Sequence, residues 1–100
     1  MSHYEYKANP TPTAGYWAGT TANVFSSTLS QILVKATTST TEFDVIVTND
    51  SSRVIQQITG CTGTINDTTK IPTIRVHTVE IDNATVDEEF EVLLMFDEGH

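Results

Sequence analysis

Carboxylates crowd into residues 82–91 and form the densest group of potentially reactive side chains in the chain: Asp82, Asp87, Glu88, Glu89 and Glu91. Oxygen ligands on a loop between strands are how extracellular β modules often hold Ca²⁺. The group lacks the alternating Asp-x-Asp spacing and the glycine of an EF-hand loop, and a solvated turn ahead of a strand has the same composition. Asp82, Asp87 and Glu88 are therefore candidate cation ligands only, and we expect no bound metal and no cofactor.

His77 and Cys61 are the other side chains that could act in catalysis. His77 has no Cys, Ser or second His at a useful spacing, and Cys61 has no basic neighbour that would lower its pKa. The chain contains no phosphate-binding glycine loop, no metal-spaced Cys/His set and no nucleophile elbow. Paired carboxylates for glycoside hydrolysis need a cleft, which so small a domain seldom encloses. We expect no enzymatic activity.

Half of the chain's eight aromatic residues lie in residues 1–19: Tyr4, Tyr6, Tyr16 and Trp17. Pro10 and Pro12 favour an extended backbone in the same segment. A solvent-exposed arm with this many aromatics would present a sticky surface. We therefore expect the segment to pack either along the flank of its own domain or on another subunit, which makes its aromatics and prolines candidate contact residues.

Tyr16 and Trp17 also admit a carbohydrate-binding interpretation. Sugar sites often place a Trp or Tyr face against the sugar ring, and the chain is rich in the Thr, Ser and Asn side chains that surround such sites. The alternative interpretation is that both rings cover the domain's own core.

The stretch EFEVLLMF, residues 89–96, is predicted as the central strand, around which the other strands are arranged. As a strand it places one row on a fully apolar face: Phe90, Val92, Leu94 and Phe96. The opposite row is charged at first and then apolar: Glu89, Glu91, Leu93 and Met95. Such a strand is typical of a central position with the core on one side, so Leu93 and Met95 are candidate contacts with another subunit.

Shorter and more polar strands are predicted upstream, over residues 29–37, 42–49, 53–58 and 73–81. Residues 24–36 also fit a helical stripe, but their Ser and Thr content and the lack of a capping box favour a strand. Residues 59–69 are interpreted as a loop, and a phase shift between Val76 and Val79 predicts a bulge or a twist near His77 and Thr78.

Length and charge exclude several classes of protein. One hundred residues suffice for one small domain, and a net charge of −8 with five basic residues leaves no basic footprint for nucleic acid or for an anionic membrane. A single cysteine excludes an intrachain disulfide, and we expect no secretory signal and synthesis in a cytoplasm. The Thr-rich composition predicts an all-β fold: a small antiparallel β-sandwich or barrel-like domain over residues 20–100, with an extended N-terminal arm over residues 1–19.

Two segments carry a resemblance to a known family. SQILVKATTSTTEFDVIVTND is an aliphatic strand, a Thr-rich loop and a strand that ends in an acidic turn, and TIRVHTVEIDNATVDEEFEVLLMF is a strand, an Asn-Ala turn and a closing aliphatic strand. This order resembles the small β-sandwich virion proteins of tailed bacteriophages, over about two-thirds of the chain.

The resemblance implies a non-enzymatic structural component of the virion, made in the host cytoplasm and present in many copies. We expect a capsid decoration or cement protein that forms homo-oligomers or binds the major capsid protein, with the arm as a clamp. A tail, neck or fibre module that binds a host surface glycan is the alternative, and a free-standing interaction domain outside any virus is a third.

Overall fold

The computed structural model describes residues 3–98, and the side chains of all of these except residues 3, 25, 26 and 98. The described chain contains strands and no helix: β1 (His3–Ala8), β2 (Trp17–Thr20), β3 (Val24–Ala36), β4 (Glu42–Thr48), β5 (Val54–Thr62), β6 (Thr64–Arg75), β7 (Thr78–Asp82) and β8 (Phe90–Glu98).

The strands form two antiparallel four-stranded sheets. Sheet I has the order β1-β8-β3-β6 and sheet II the order β2-β7-β4-β5. In the pairs β1–β8, β2–β7, β3–β6 and β4–β5, a strand from the first half of the chain lies antiparallel to one from the second half. The chain is thus a long hairpin, rolled up so that β3 also pairs with β8 and β4 with β7. This is the topology of an eight-stranded jelly roll, and it confirms the predicted all-β sandwich.

The core lies between the two sheets and comes from alternate residues of their strands. β4 and β7 show the pattern most clearly, because every second side chain is buried and the intervening ones are partly or fully exposed. Each fully buried aliphatic or aromatic side chain contributes about 1.5–3 kcal/mol relative to an exposed one. The buried apolar residues are Val24, Leu29, Ile32, Val34, Ala36, Phe43, Val45, Val47, Cys61, Val79, Ile81, Phe90, Val92, Leu94 and Phe96.

β8 occupies the central position that its sequence predicts. Its inward row is Phe90, Val92, Leu94 and Phe96, at 0–2% exposure. Phe90 meets Phe43 of sheet II edge to face, with 5.1 Å between the ring centroids. The register predicted for this strand is therefore confirmed.

The strand interpretation of residues 24–36 is also confirmed, although β3 begins at Val24 rather than at residue 29. The loop predicted over residues 59–69 is wrong, because β5 runs to Thr62 and β6 begins at Thr64. Only Gly63 connects these strands, with a φ of 69°, and a Cβ there would lie 2.6 Å from the Ser39 carbonyl oxygen. This close approach requires glycine. The Thr and Asn residues that suggested a loop alternate along the exposed face of an edge strand.

The single strand predicted over residues 73–81 is two strands. β6 ends in sheet I at Arg75, whose φ of 68° lies in the left-handed region, and β7 begins in sheet II at Thr78. The phase shift between Val76 and Val79 therefore marks a crossover between sheets and not a bulge within one strand.

The boundary predicted at residue 20 does not coincide with an edge of the fold. Residues 3–8 form β1, which pairs with β8 over six residues, and residues 17–20 form β2, which pairs with β7. The described part of the segment predicted as an arm therefore supplies one strand to each sheet. Tyr4, Tyr6 and Trp17 face the core because the side chains of each strand alternate between its two faces, which composition alone does not reveal.

Candidate functional site

Tyr4 and Tyr6 project from β1 toward the interior and pack against the core. The ring centroid of Tyr4 lies 5.7 Å from that of Phe96, and its hydroxyl accepts a hydrogen bond from the Ala22 N–H at 3.1 Å. Burial, and then the nearby Tyr4, raise the pKa of Tyr6. Both rings are half-buried, so they cover the flank of their own domain, which is one of the two alternatives left open by the sequence.

Pro10 and Pro12 are buried in the connection between β1 and β2. The Pro10 carbonyl accepts a hydrogen bond from the Phe90 N–H at 2.7 Å, which ties this connection to the start of β8. Thr13 and Tyr16 then exchange two backbone hydrogen bonds around Ala14 and Gly15, whose φ values are 53° and 79°. Positive φ at both central residues is the signature of a type I′ turn.

Trp17 and Tyr16 point to different surroundings. Trp17 is half-buried and packs against the core, and its ring lies over Gly19, where a Cβ would come within 2.6 Å of the indole. Tyr16 is 47% exposed, and its hydroxyl bonds to Glu80. Partial desolvation, then Glu80 and Asp82, raise the pKa of this phenol. The two rings therefore do not form one stacking platform, and only Tyr16 offers an open face.

Asp87 and Glu88, proposed as cation ligands, instead accept hydrogen bonds from neighbouring loops. The Ala14 and Gly15 N–H groups donate to the two carboxylate oxygens of Asp87, both at 2.9 Å. Glu88 accepts from the N–H and the hydroxyl of Thr38, both at 2.8 Å, and from the Thr41 hydroxyl at 2.9 Å. The Thr38 N–H is the main reason that the pKa of Glu88 is lowered from its usual value of 4.5.

These bonds join three connections at one end of the sandwich, which we call the carboxylate end: residues 9–16, 37–41 and 83–89. Backbone bonds reinforce them, since the Gly63 N–H donates to the Thr41 carbonyl and the Ala84 N–H donates to the Gly15 carbonyl. The acidic residues thus act as acceptors for loop N–H and hydroxyl groups, which is a structural use of the same oxygens that a cation would need.

Asp82, the third candidate ligand, lies on the outward face of sheet II. One of its oxygens accepts the Asn83 N–H at 2.9 Å, and its register partner on β4 is Asp44. Asp44 in turn accepts from the Gly60 N–H and the Asn83 amide, both at 2.9 Å. Among residues 3–98, no group of three or more His, Cys, Asp or Glu side chains could hold a metal ion.

His77 lies at the other end of the sandwich, which we call the histidine end: the connections of residues 21–23, 49–53 and 76–77. Its side chain is 2% exposed, and its ring centroid lies 5.8 Å from that of Phe96. Its backbone exchanges two hydrogen bonds with Thr21, but its Nδ1 atom has no hydrogen-bond partner. Burial lowers the pKa of the imidazole, against the opposing effects of a bond to the Arg75 carbonyl and of Asp50.

Cys61 is a buried free thiol on β5 that faces the core. Burial, and then Asp44, raise its pKa, which keeps the thiol protonated and unreactive. Open depressions of 240 and 450 Å³ lie elsewhere, beside Lys35 and Glu91 and beside Ser27 and Thr73. Neither is lined by His77, Cys61 or an aromatic ring.

Leu93 and Met95 are half-buried on the outward face of sheet I. Leu93 stands directly opposite Leu33 of β3 and Lys7 of β1, and Met95 stands opposite Gln31 and Glu5. The structure therefore places Leu93 and Met95 on the outward face of sheet I, whereas Tyr4 and Tyr6 face the core from β1 of the same sheet. Leu33 lies beside Leu93 on this outward face. The sequence does not predict this position, because residues 24–36 fit both a helix and a strand and the face to which Leu33 belongs is therefore ambiguous.

The outward face of sheet II differs in charge. It carries Glu42 and Asp44 from β4 and Glu80 and Asp82 from β7, each alternating with a buried core residue. Sequence alone shows the crowding of carboxylates after residue 82 but not this second group, because the four residues come together only through the pairing of β4 with β7.

Comparisons of the sequence with known proteins identified no relative of this chain. No protein-family model matches the chain, and no curated protein is significantly similar to it. Within the described residues there is also no helix long and apolar enough to cross a bilayer.

Proposed function

We propose that this chain is a structural component of a tailed-phage virion, a capsid decoration or cement protein that stabilises the shell through protein–protein contacts. The observation that carries the proposal is the eight-stranded jelly roll, a topology that recurs in viral capsid and lectin domains. The resemblance of residues 30–50 and 73–96 to small virion sandwich proteins supports the same function.

The construction of the carboxylate end suits a part that must keep its shape on a crowded surface. Its three connections are joined by charge-assisted hydrogen bonds that Asp87 and Glu88 accept, and such bonds are shorter and stronger than neutral ones. A module with ordered connections loses little conformational entropy when it binds, so a modest contact area is sufficient for association.

The contacts would come from sheet faces and not from a free arm. β1 and β2 belong to the sandwich, so the residues proposed earlier as an arm-borne clamp are committed to the protein's own fold. Tyr16, Leu93 and Met95 remain the accessible members of the proposed contact set, and the half-buried Tyr4, Tyr6 and Trp17 contribute their exposed edges.

The test is the number of copies per particle. Quantitative mass spectrometry of purified virions that encode this chain should find it in hundreds of copies, in constant ratio to the major capsid protein. A handful of copies would place it at the neck or tail and would overturn the decoration proposal. Absence from purified particles would overturn membership in the virion altogether.

A glycan-binding tail or fibre module is the second candidate, and one observation favours it. Tyr16 presents an open aromatic ring beside the carboxylates of Glu80 and Asp82, and sugar sites combine these groups. Glycan-array binding that is lost in Tyr16→Ala but retained in Trp17→Phe would support this candidate. An array with no binding by the unaltered chain would reject it.

A further inference from the structure

The outward faces of the two sheets differ in charge more than composition suggests. All three lysines of the chain project from the outward face of sheet I: Lys7 from β1, Lys35 from β3 and Lys70 from β6. The same face carries four carboxylates, those of Glu5, Glu89, Glu91 and Asp97, and Glu89 lies beside Lys35 and Glu91. The charges on this face therefore nearly balance, with a sum of −1, although the whole chain has a net charge of −8.

The outward face of sheet II has no such balance. It carries Glu42, Asp44, Glu80 and Asp82, and no lysine or arginine projects from the strands of this sheet. Two such faces would repel each other, since like charges at close range cost energy that an apolar contact must overcome. Of the two sheet faces, only that of sheet I can approach a second negatively charged molecule without local repulsion.

The centre of the sheet I face is apolar. Leu93 of β8 and Leu33 of β3 are register partners, and Met95 lies two residues along β8 on the same side. All three are half-buried by their neighbours within the sheet and keep part of their surface exposed. The lysines and carboxylates lie around this centre, which matches the arrangement of a protein interface with an apolar middle and a polar rim.

We propose that the outward face of sheet I binds the same face of a second copy of this chain. The two copies are related by a two-fold axis through the apolar centre, so that the Leu33, Leu93 and Met95 side chains of one copy contact those of the other. An isologous contact of this kind needs one self-complementary patch, and a ring of three lysines and four carboxylates around an apolar middle provides charges of both signs for it. The two sheets stack as sheets do within a sandwich, about 10 Å apart.

The size of the face predicts a weak dimer. Four strands about 4.8 Å apart and roughly seven residues long cover on the order of 400 Å² per copy, about half of a standard interface. We therefore expect a dissociation constant between roughly 10 µM and 1 mM. Self-association of this face does not depend on the proposed virion function, and each can fail without the other.

Sedimentation equilibrium of the full chain tests the proposal directly. Between about 10 µM and 1 mM, the range in which so small an interface dissociates, the average mass should rise from 11.0 kDa toward that of a dimer and no further. Added NaCl should strengthen the dimer, because salt screens the repulsion between two molecules of charge −8, while the contact itself is apolar at its centre and nearly neutral at its rim. A chain that stays monomeric over this range overturns the proposal.

Matched substitutions locate the contact. Leu93→Asp puts a carboxylate at the centre of the sheet I face and should weaken association at least tenfold. Ile46→Asp makes the same change at a half-buried outward position of sheet II, with the same net charge, and should leave association unchanged. Equal weakening by both variants, or growth beyond a dimer that salt suppresses, would show sheet I binding sheet II and would overturn the two-fold contact.

NMR of the unaltered chain keeps the test independent of how well Leu93→Asp folds. Concentration-dependent chemical-shift changes should fall on the outward residues of β3 and β8 and spare those of β4 and β7. Changes confined to β4 and β7 would assign the contact to the other sheet and reject the proposal.

Discussion

The two ends of this sandwich are closed by different chemistry. At the carboxylate end, ionised side chains accept hydrogen bonds from loop N–H groups and hydroxyls, as Asp87 and Glu88 do. At the histidine end, a neutral ring is buried against Phe96, and the connections are joined by hydroxyls and backbone groups such as those of Thr21. One end depends on a charge being present, and the other depends on a charge being absent.

Both ends should weaken on acidification, but in different ranges of pH. Glu88 has a lowered pKa in the folded state, so its contribution is complete above its unfolded value near 4.5 and is lost as the pH falls through the folded value. His77 also has a lowered pKa, and the unfolded chain takes up a proton on this imidazole first, near pH 6.5. On acidification, the loss of stability due to His77 therefore begins about two pH units above the loss due to Glu88.

The largest effect should come from removing residues 1–19. This deletion takes away β1 and β2, and with them Tyr4 at the histidine end and the turn that Asp87 binds at the carboxylate end. We expect the remaining chain to be unfolded, because a domain of this size is stable by only about 5–15 kcal/mol. Far-UV circular dichroism and amide dispersion in NMR would check this, and a cooperatively melting fragment would show that the segment is a dispensable arm after all.

Phe90→Ala and Phe96→Ala should each cost about 3–5 kcal/mol, the usual penalty for emptying an aromatic site in a core. The two rings are fully buried at opposite ends of β8, Phe90 beside Phe43 and Phe96 beside Tyr4 and His77. Urea unfolding measures both, with Glu91→Ala as the exposed control on the same strand. A phenylalanine variant that unfolds at the same urea concentration as Glu91→Ala would show that the substituted ring is not in the core.

The sequence predicted most of this core and little of its connectivity. Alternation identified the inward rows of β4 and β8, because a half-buried strand imposes a period of two on its side chains. It failed for β5 and β6, where residues 59–69 alternate weakly because an edge strand buries little. The left-handed φ of Arg75 and the crossover after it left only a phase shift in the pattern.

The sequence revealed the cluster of acidic residues at the carboxylate end but not the hydrogen bonds that they accept. Asp87 and Glu88 were recognised as a cluster, yet their partners lie 47–73 residues away in the chain. The donors to Asp87 are the N–H groups of Ala14 and Gly15 in the type I′ turn, and they come within reach of this carboxylate only when the chain folds. The charge balance of sheet I was hidden for the same reason, since three strands bring its lysines together.

Asp87→Ala should cost about 1–2 kcal/mol, comparable to the loss of a helix-capping side chain, because Asp87 likewise accepts from backbone N–H groups that have no other acceptor among the described residues. The effect should centre on the turn that includes Ala14 and Gly15, since both N–H groups lose their acceptor. Hydrogen exchange of these two amides and urea unfolding would measure it. Glu89→Ala is the matched control, an exposed carboxylate two residues along the chain, and should change stability by less than about 0.5 kcal/mol.

The smallest effect should come from His77→Phe, and it should be a change in the slope of the free energy of unfolding against pH. In the native chain the free energy of unfolding should fall as the pH drops from 6.5 to the lower folded pKa of His77, because only the unfolded state binds the proton readily in that range. Nδ1 has no hydrogen-bond partner, and the bond to the Arg75 carbonyl and the charge of Asp50, which forms an ion pair with Arg75 at 3.4 Å, oppose the lowering of the pKa only in part. Phenylalanine cannot be protonated and packs on Phe96, so stability between pH 5.5 and 7.5 should become nearly flat, while the acid loss below about 4.5 from Glu88 persists. Urea unfolding of both proteins across this range decides the matter. An unchanged slope in His77→Phe would mean that the imidazole binds a proton as readily in the folded chain as in the unfolded one, and that the two ends do not differ in the way their contacts indicate.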